Sequence, residues 1–301
     1  MSTVAQVRVP ATSANLGPAF DCAGLALGVH DSLEFAVTGG GLEVVMTGEG
    51  ADTLPADERH LVVRAFRAAC GELGWTPPGL RIRTENGIPQ GRGMGSSAAA
   101  VVAGVLGARA LCPDGGAMDD DAVLRLVTEL EGHPDNVAAC LLGGATLSWM
   151  TADGARAARL AVAEEVVPVV LVPDATLSTH VARGLLPELV PHADAAFNAG
   201  RSGLLVHALT AAPALLLEAT EDRLHQGQRG PAMPASHELV QRLRAAGHAA
   251  VVSGAGPSVL VLGQLASGDV AAEVPDGWQL LAPGIDRSGA TVQAGPRVSS
   301  R

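Results

Sequence analysis

The sequence predicts an α+β protein of two domains. Its 301 residues exceed the ordinary span of one domain, about 100–200 residues. β-branched stretches of strand length alternate with stretches of helical period, so neither all-α nor all-β architecture fits. Past residue 150 the character changes: a polar, Ala-rich connection, Ala152–Arg159, leads into the dense apolar run Val166–Val172. The boundary is placed near residue 155, dividing 1–155 from 156–301. With 48% apolar residues but only four Phe, three Trp and no Tyr, both cores must be aliphatic.

Val4–Val9 alternates like a strand and stops at Pro10. Leu33–Thr38 and Leu42–Thr47 read as two strands joined by Gly39-Gly40-Gly41, a hairpin pattern. His60–Leu73 places apolar residues at helical spacing and ends at Gly74; Leu80–Thr84 is a short strand. A small-residue helix runs from Ser96 to Ala110. Another, Asp119–Leu130, opens with acidic residues that suit a helix N-terminus. In the second half, Val166–Val172 reads as a central strand. Helices are expected over Ser178–Leu185, Ala193–Leu209, Ala214–Glu221 and His237–Ala246. Strands are expected at Val251–Ser253, Val259–Leu262 and Ala290–Gln293.

Composition excludes several chemistries. All 20 basic residues are arginines, so a Walker-type phosphate lysine and a Schiff-base amine are absent. A net charge of −11 argues against nucleic acid as a partner. No apolar run reaches the ~18 residues of a membrane span, so no membrane partner is expected. Cys22, Cys70, Cys112 and Cys140 form no C-x-x-C pair and read as free thiols. No signal pattern precedes Val9, and a cytoplasmic protein is expected.

Three loops carry the candidate chemistry. Pro89-Gln90-Gly91-Arg92-Gly93-Met94-Gly95-Ser96-Ser97-Ala98-Ala99 sets glycines at alternate positions before two serines that open a helix. Such a loop can aim backbone N–H groups and a helix N-terminus at an anion; it can equally be a tight turn with a serine cap. Pro10–Asp21 is a polar loop after the first strand, with Asn15 and Asp21 as its ligand-capable groups. Ser253-Gly254-Ala255-Gly256-Pro257-Ser258 lies between two late strands. Each alone is an ordinary turn.

Together, in this order, the three loops resemble the signature of the galactokinase, homoserine kinase, mevalonate kinase and phosphomevalonate kinase superfamily, the GHMP kinases. The first motif, P-A-T-S-A-N-L-G-P-x-F-D, and Glu131-Gly132-His133-Pro134-Asp135-Asn136-Val137-Ala138 are most similar to the homoserine kinase branch. The resemblance spans nearly the whole chain. It implies a two-domain GHMP kinase fold: a ribosomal-protein-S5-like N-terminal domain, a ferredoxin-like α/β sandwich after it, and a site in the cleft between. It also implies ATP-dependent phosphorylation of the homoserine hydroxyl in threonine biosynthesis, with ATP as co-substrate and Mg2+ as the metal.

Residue by residue, the resemblance gives the Pro89–Ala99 loop to the ATP phosphates, and Ser97 with Glu131 to magnesium. Asn15, Asp21, His133 and Asn136 fall at positions lining the substrate pocket. Asp21 would face the ammonium and Asn136 the attacking hydroxyl. Arg183 in S-T-x-x-A-R and Arg229 in D-x-L-H-Q-x-x-R inherit a carboxylate clamp, with Thr179 as a lesser candidate. Asp135 is either the catalytic base or a structural partner to a turn. Without lysine, catalysis by positioning and electrostatics is the favoured expectation. Three departures stand out: Ala19 where glycine is usual, Met94 for leucine, and His60-Leu61-Val62 where N-L-V often lies near adenine. Arg92 either touches phosphate or faces solvent. Oligomeric state stays open, with a homodimer compatible.

Overall fold

In the computed structural model, residues 4–263 and 270–294 are described. The chain opens with β1 (Val4–Ala14) and β2 (Ala23–Thr38), paired antiparallel along their lengths with a register shift at Pro10/Ala11. Pro10 therefore does not end the first strand. The shift absorbs the missing N–H, and β1 continues with both faces buried toward Ala14.

β3 (Gly41–Gly48) follows the glycine turn but does not fold back on β2. After α1 (Leu61–Glu72), β4 (Gly79–Asn86) inserts between them, antiparallel to β2 and parallel to β3. The expected hairpin is thus corrected. Leu80 and Ile82 of β4 are fully buried, whereas no residue of β3 is. Apolar burial favours β4 in the interior and leaves the half-polar β3 as an edge.

Helix α2 (Ser96–Leu111) is apolar on nearly all sides and lies buried against the sheet and α1. Glycine permits this approach: a Cβ at Gly107 would meet the Phe35 ring at 2.8 Å. α3 (Asp120–Glu131) begins at its N-cap Asp119, whose carboxylate accepts from Ala122 N at 2.8 Å. It ends at left-handed Gly132, and α4 (Pro134–Leu142) starts almost at once. The expected connection over Ala152–Arg159 is instead most of β6 (Gly154–Leu160), which forms a hairpin with β5 (Ala145–Thr151). Alanines at alternate positions hid the strand, because alanine is a weak strand former.

The second sheet has the order β10-β7-β9-β8. It comprises β7 (Val167–Pro173), β8 (Ala249–Val252), β9 (Val259–Gly263) and β10 (Trp278–Leu281). Between β7 and β8 lie α5 (Thr179–Gly184), α6 (His192–Thr210), α7 (Leu216–Ala219), α8 (Gln226–Arg229) and α9 (Pro234–Ala245). The last strand, β11 (Thr291–Ala294), returns to the first sheet and pairs with β1. A cut at 155/156 therefore passes through β6, and the chain crosses between sheets a second time before β11.

Asp31, on β2, is buried and accepts from Gly87 N and Ile88 N at 2.8 and 2.9 Å. Burial pushes its pKa up to about 6 against the opposing pull of those two donors. The folded state thus favours the protonated form. The resulting stabilisation is complete below the unfolded value of 3.8 and is lost as pH rises through about 6. Asp31→Asn keeps an acceptor oxygen without the charge. The melting temperature of the variant minus that of the wild type is expected to rise by a few degrees between about pH 4 and pH 7, then level off. A pH-independent difference would count against a buried, titrating Asp31.

Candidate active site

The phosphate-type loop between β4 and α2 is built by backbone conformation. Gly91, Gly93 and Gly95 have φ of 64°, 71° and 71°, a region that L side chains rarely enter. Space forbids side chains as well: a Cβ on Gly93 would strike the Ser253 carbonyl, and one on Gly95 the Thr12 hydroxyl. Gly95 is the N-cap of α2 and supplies no side-chain acceptor. The first-turn N–H groups of α2 are thereby left to an anion.

The other two motifs close on this loop. Ser253 Oγ bonds Gly93 O (2.6 Å) and Ser13 Oγ (2.8 Å); Thr12 N donates to Met94 O (3.0 Å). Asn15 Nδ2 donates to Gly254 O at 3.0 Å, while Asn15 Oδ1 accepts from Asp21 N at 2.9 Å. Three non-glycine residues here, Asn15, Leu16 and Asp21, have positive φ of 68°, 47° and 58°. Strain of this kind persists only where surrounding contacts over-determine the backbone. Ala19 is not among them, so its replacement of glycine costs no backbone strain.

The acidic motif contributes from the α3–α4 junction. Glu131 Oε2 accepts from Ser97 Oγ at 2.7 Å. Burial raises the Glu131 pKa; the Ser97 hydrogen bond and the charge of His133 oppose that. Asp135 is 1% exposed, and its Oδ1 accepts from His133 Nδ1 (2.6 Å) and Asn136 N (2.7 Å). Burial pulls the His133 pKa down, but the Asp135 hydrogen bond and charge outweigh it and the ring's pKa is raised. Asp135 thus holds the start of α4 through Oδ1, while its Oδ2 has no hydrogen-bond partner among the described residues, so a structural role is present and a base role is not displaced by it. Thr12 Oγ1 donates to Asn136 Oδ1 at 2.7 Å, and Asn136 Nδ2 lies 3.4 Å from Asp135 Oδ1, which leaves the second N–H of the amide as its unspent donor.

Across the cleft stand the two arginines. The Arg183 fork is engaged in both arms by Asp21, with Nη2–Oδ1 at 2.6 Å and Nη1–Oδ2 at 3.0 Å. Arg229 is 1% exposed and donates from Nε to Ala182 O and from Nη1 to His225 Nδ1 and Gly254 O. Its Nη2 has no partner among the described residues, so Arg229 offers one amino group rather than a full fork. The Phe20 ring lies 5.4 Å from the Arg183 guanidinium and 5.3 Å from that of Arg229.

A cleft of about 240 Å³ gathers Asn15, Gly91, Gly93, Gly95, Ser96, Ser97, Glu131, His133, Asp135, Asn136, Thr179, Arg183 and Arg229. Asp21 reaches it only through Arg183. Pro89, Met94, Ala98 and Ala99 support the loop without lining the cleft; Met94 and both alanines are buried. Arg92 points away and bonds Pro173 O and Asp174 O, tying the loop to β7. A second hollow of about 220 Å³ shares Ser96 and Ser97 and is walled by Leu54, Pro55, Leu61 and Val62, with Gln90 and His60 at its edge. His60 caps α1, its Nδ1 accepting from Val62 N at 3.2 Å. Thr12, Phe20 and Gly254 were not among the expected site residues. Thr12 and Phe20 lie inside the first motif and Gly254 in the third, and motif membership is their only sequence signal.

Comparison with known proteins places this geometry. The GHMP kinase N-terminal domain model matches residues 60–144, and the C-terminal model residues 201–279. The homoserine kinase of Streptomyces avermitilis is 57% identical over 289 residues, covering 95% of each chain. The chain belongs to the homoserine kinase family of the GHMP kinases. A second homoserine kinase, from Clavibacter michiganensis, is 52% identical over 96% of this chain and 93% of its own. The crystal structure of homoserine kinase from Cytophaga hutchinsonii superposes with a TM-score of 0.85 at 25% identity, covering 96% of this chain and 97% of that one. Mevalonate diphosphate decarboxylase from Staphylococcus aureus shares the fold at 13% identity and a TM-score of 0.69. These GHMP kinase matches account for two α/β units whose motifs meet in one cleft.

Proposed function

We propose that the cleft transfers the γ-phosphoryl group of ATP to the side-chain hydroxyl of L-homoserine, giving O-phospho-L-homoserine and ADP in threonine biosynthesis. The observation that carries this reading is the opposition within one cleft of the phosphate loop with Glu131 and the two arginines Arg183 and Arg229, with Asp21 paired behind Arg183. Phosphates on the first-turn N–H groups of α2 place the γ-phosphoryl toward Asn136. Arg229 Nη2 receives the substrate carboxylate; for Arg183 to join it and for Asp21 to meet the ammonium, the substrate must part the Arg183–Asp21 pair. Asn136 donates from Nδ2 to the attacking hydroxyl oxygen and cannot take its proton. The chain works by alignment and electrostatics, as a loose transfer state allows, and the hydroxyl proton leaves to a phosphoryl oxygen or to water as the new P–O bond forms and the bond to ADP breaks.

The donors at Glu131 and Ser97 are both hard oxygens and lie 2.7 Å apart beside the loop, a pair that fits Mg2+. When bound there, Mg2+ would neutralise charge on the ATP phosphates. Among the described residues no helix is long and apolar enough to cross a membrane, and four cysteines are free; both fit the cytoplasmic location we propose.

Incubation with ATP, Mg2+ and homoserine is expected to release ADP above the ATPase background, and serine, threonine or mevalonate to release far less. Absence of homoserine-dependent ADP would defeat the assignment.

A further inference from the structure

His225, which the mechanism above does not use, is buried at 1% exposure between Gly17 of the first motif and Arg229. It precedes α8, and Arg229 is the last residue of that helix. We propose that His225 is a positioning residue: its neutral ring aims Arg229 at the substrate carboxylate and ties that arginine to the loop carrying Asn15 and Asp21. The proposal rests on the reading of Arg229 as a carboxylate ligand.

The hydrogen bonds determine the tautomer. Nε2 lies 2.8 Å from Gly17 O, which can only accept, so Nε2 carries the proton. Nδ1 is then a lone pair and accepts from Arg229 Nη1 at 3.1 Å. A protonated ring would set donor against donor and cation against cation at this contact. Burial above all holds the neutral form. Burial lowers the His225 pKa, as does Arg229, against the opposing pull of Asp222, the Gly17 carbonyl and Asp21. Asp222 stands 3.7 Å from Nε2 and serves as the cap for α8, accepting from Leu224 N, His225 N and Gln226 N and from Asn198 Nδ2.

Of the three acceptors that hold Arg229, two are the carbonyls of Ala182 and Gly254, which no substitution at their own side chains removes. His225 Nδ1 is the third and, among the described residues, the only side-chain acceptor. On the other side, Gly17 has φ +90° and packs so closely that a Cβ would meet Thr220 O at 2.5 Å. The Gly17 carbonyl is therefore a fixed anchor. Through it, His225 sets the arginine and the Asn15–Asp21 loop in one register, with the Phe20 ring 5.2 Å from the imidazole.

Two amide substitutions separate the two bonds. In His225→Asn the amide oxygen reaches the Nδ1 position and keeps the partner of Arg229. In His225→Gln the amide nitrogen reaches the Nε2 position and keeps only the bond to Gly17. His225→Gln is expected to raise the homoserine KM about tenfold, the loss of one hydrogen bond to a charged donor, with the ATP KM unchanged. His225→Asn should stay within about threefold of wild type. In an Arg229→Ala background, His225→Gln should add nothing further. Equal homoserine KM values for the two variants, or additive effects in the double variant, would overturn the positioning role. Should His225→Gln fail to fold, His225→Asn decides alone: a tenfold homoserine KM with unchanged ATP KM overturns it, and a near-wild-type value supports it. A wild type without homoserine-dependent ADP release would instead defeat the functional reading.

Discussion

Replacing Glu131 by Gln is expected to lower kcat by about 10²–10³-fold while the homoserine KM stays within about threefold. Gln keeps the length of the side chain and an acceptor for Ser97 Oγ, now at 2.7 Å, so the local packing survives. What disappears is the negative charge of the carboxylate bonded to Ser97, the oxygen pair beside the phosphate loop that suits a divalent cation. A metal that neutralises phosphate charge acts mainly in the transition state, so its loss falls on kcat rather than on amino-acid affinity. Raising Mg2+ should restore part of the rate. Full activity and an unchanged Mg2+ requirement in the Gln variant would remove Glu131 from the metal site.

The second large effect is expected at Arg229. Arg229→Ala should raise the homoserine KM by about 10²-fold or more and leave the ATP KM near wild type, since a carboxylate that stays bound throughout the reaction contributes uniform binding. The substitution also deletes the largest fully buried side chain among the described residues, takes the Nε donor from the Ala182 carbonyl and leaves the Gly254 carbonyl with Asn15 alone. Stability should fall by about 2–4 kcal/mol, a loss typical of a broken buried polar network. Thermal melting separates the two consequences. Arg229→Lys, which restores a cation without the planar contacts, should recover more stability than homoserine affinity. An unchanged homoserine KM in a folded Arg229→Ala protein would remove this arginine from substrate recognition.

Much of the site was readable from residue types and short spacing. The alternate glycines before Ser96 needed only the rule that positive φ and close packing select glycine: Gly91, Gly93 and Gly95 all have the conformation, and Gly93 and Gly95 have the close neighbours as well. Most helices came from periodicity within a few residues. α4 escaped because its nine residues follow α3 after two, too short a stretch for its own period to stand out. Pairing was far less readable. Nothing within Leu33–Thr47 says that β4, more than thirty positions away, will displace β3 from β2. Likewise no local pattern announces that β11 returns to β1.

By itself the sequence determined the chemical inventory. With no lysine, phosphate must be met by backbone dipoles, arginine or metal, and the three motifs name the groups that can do so. Only the tertiary structure decided how those groups are engaged: Arg183 locked on Asp21, Asp135 holding His133 and Asn136, and Arg229 left with a single free amino group beside His225. The physical reason is that a side chain's chemistry belongs to the residue, whereas its free valences depend on partners up to 240 positions away, such as Ser13 and Ser253. The absent lysine fixes what the cleft must use, and the packing of two sheets against one loop fixes where each arginine can reach.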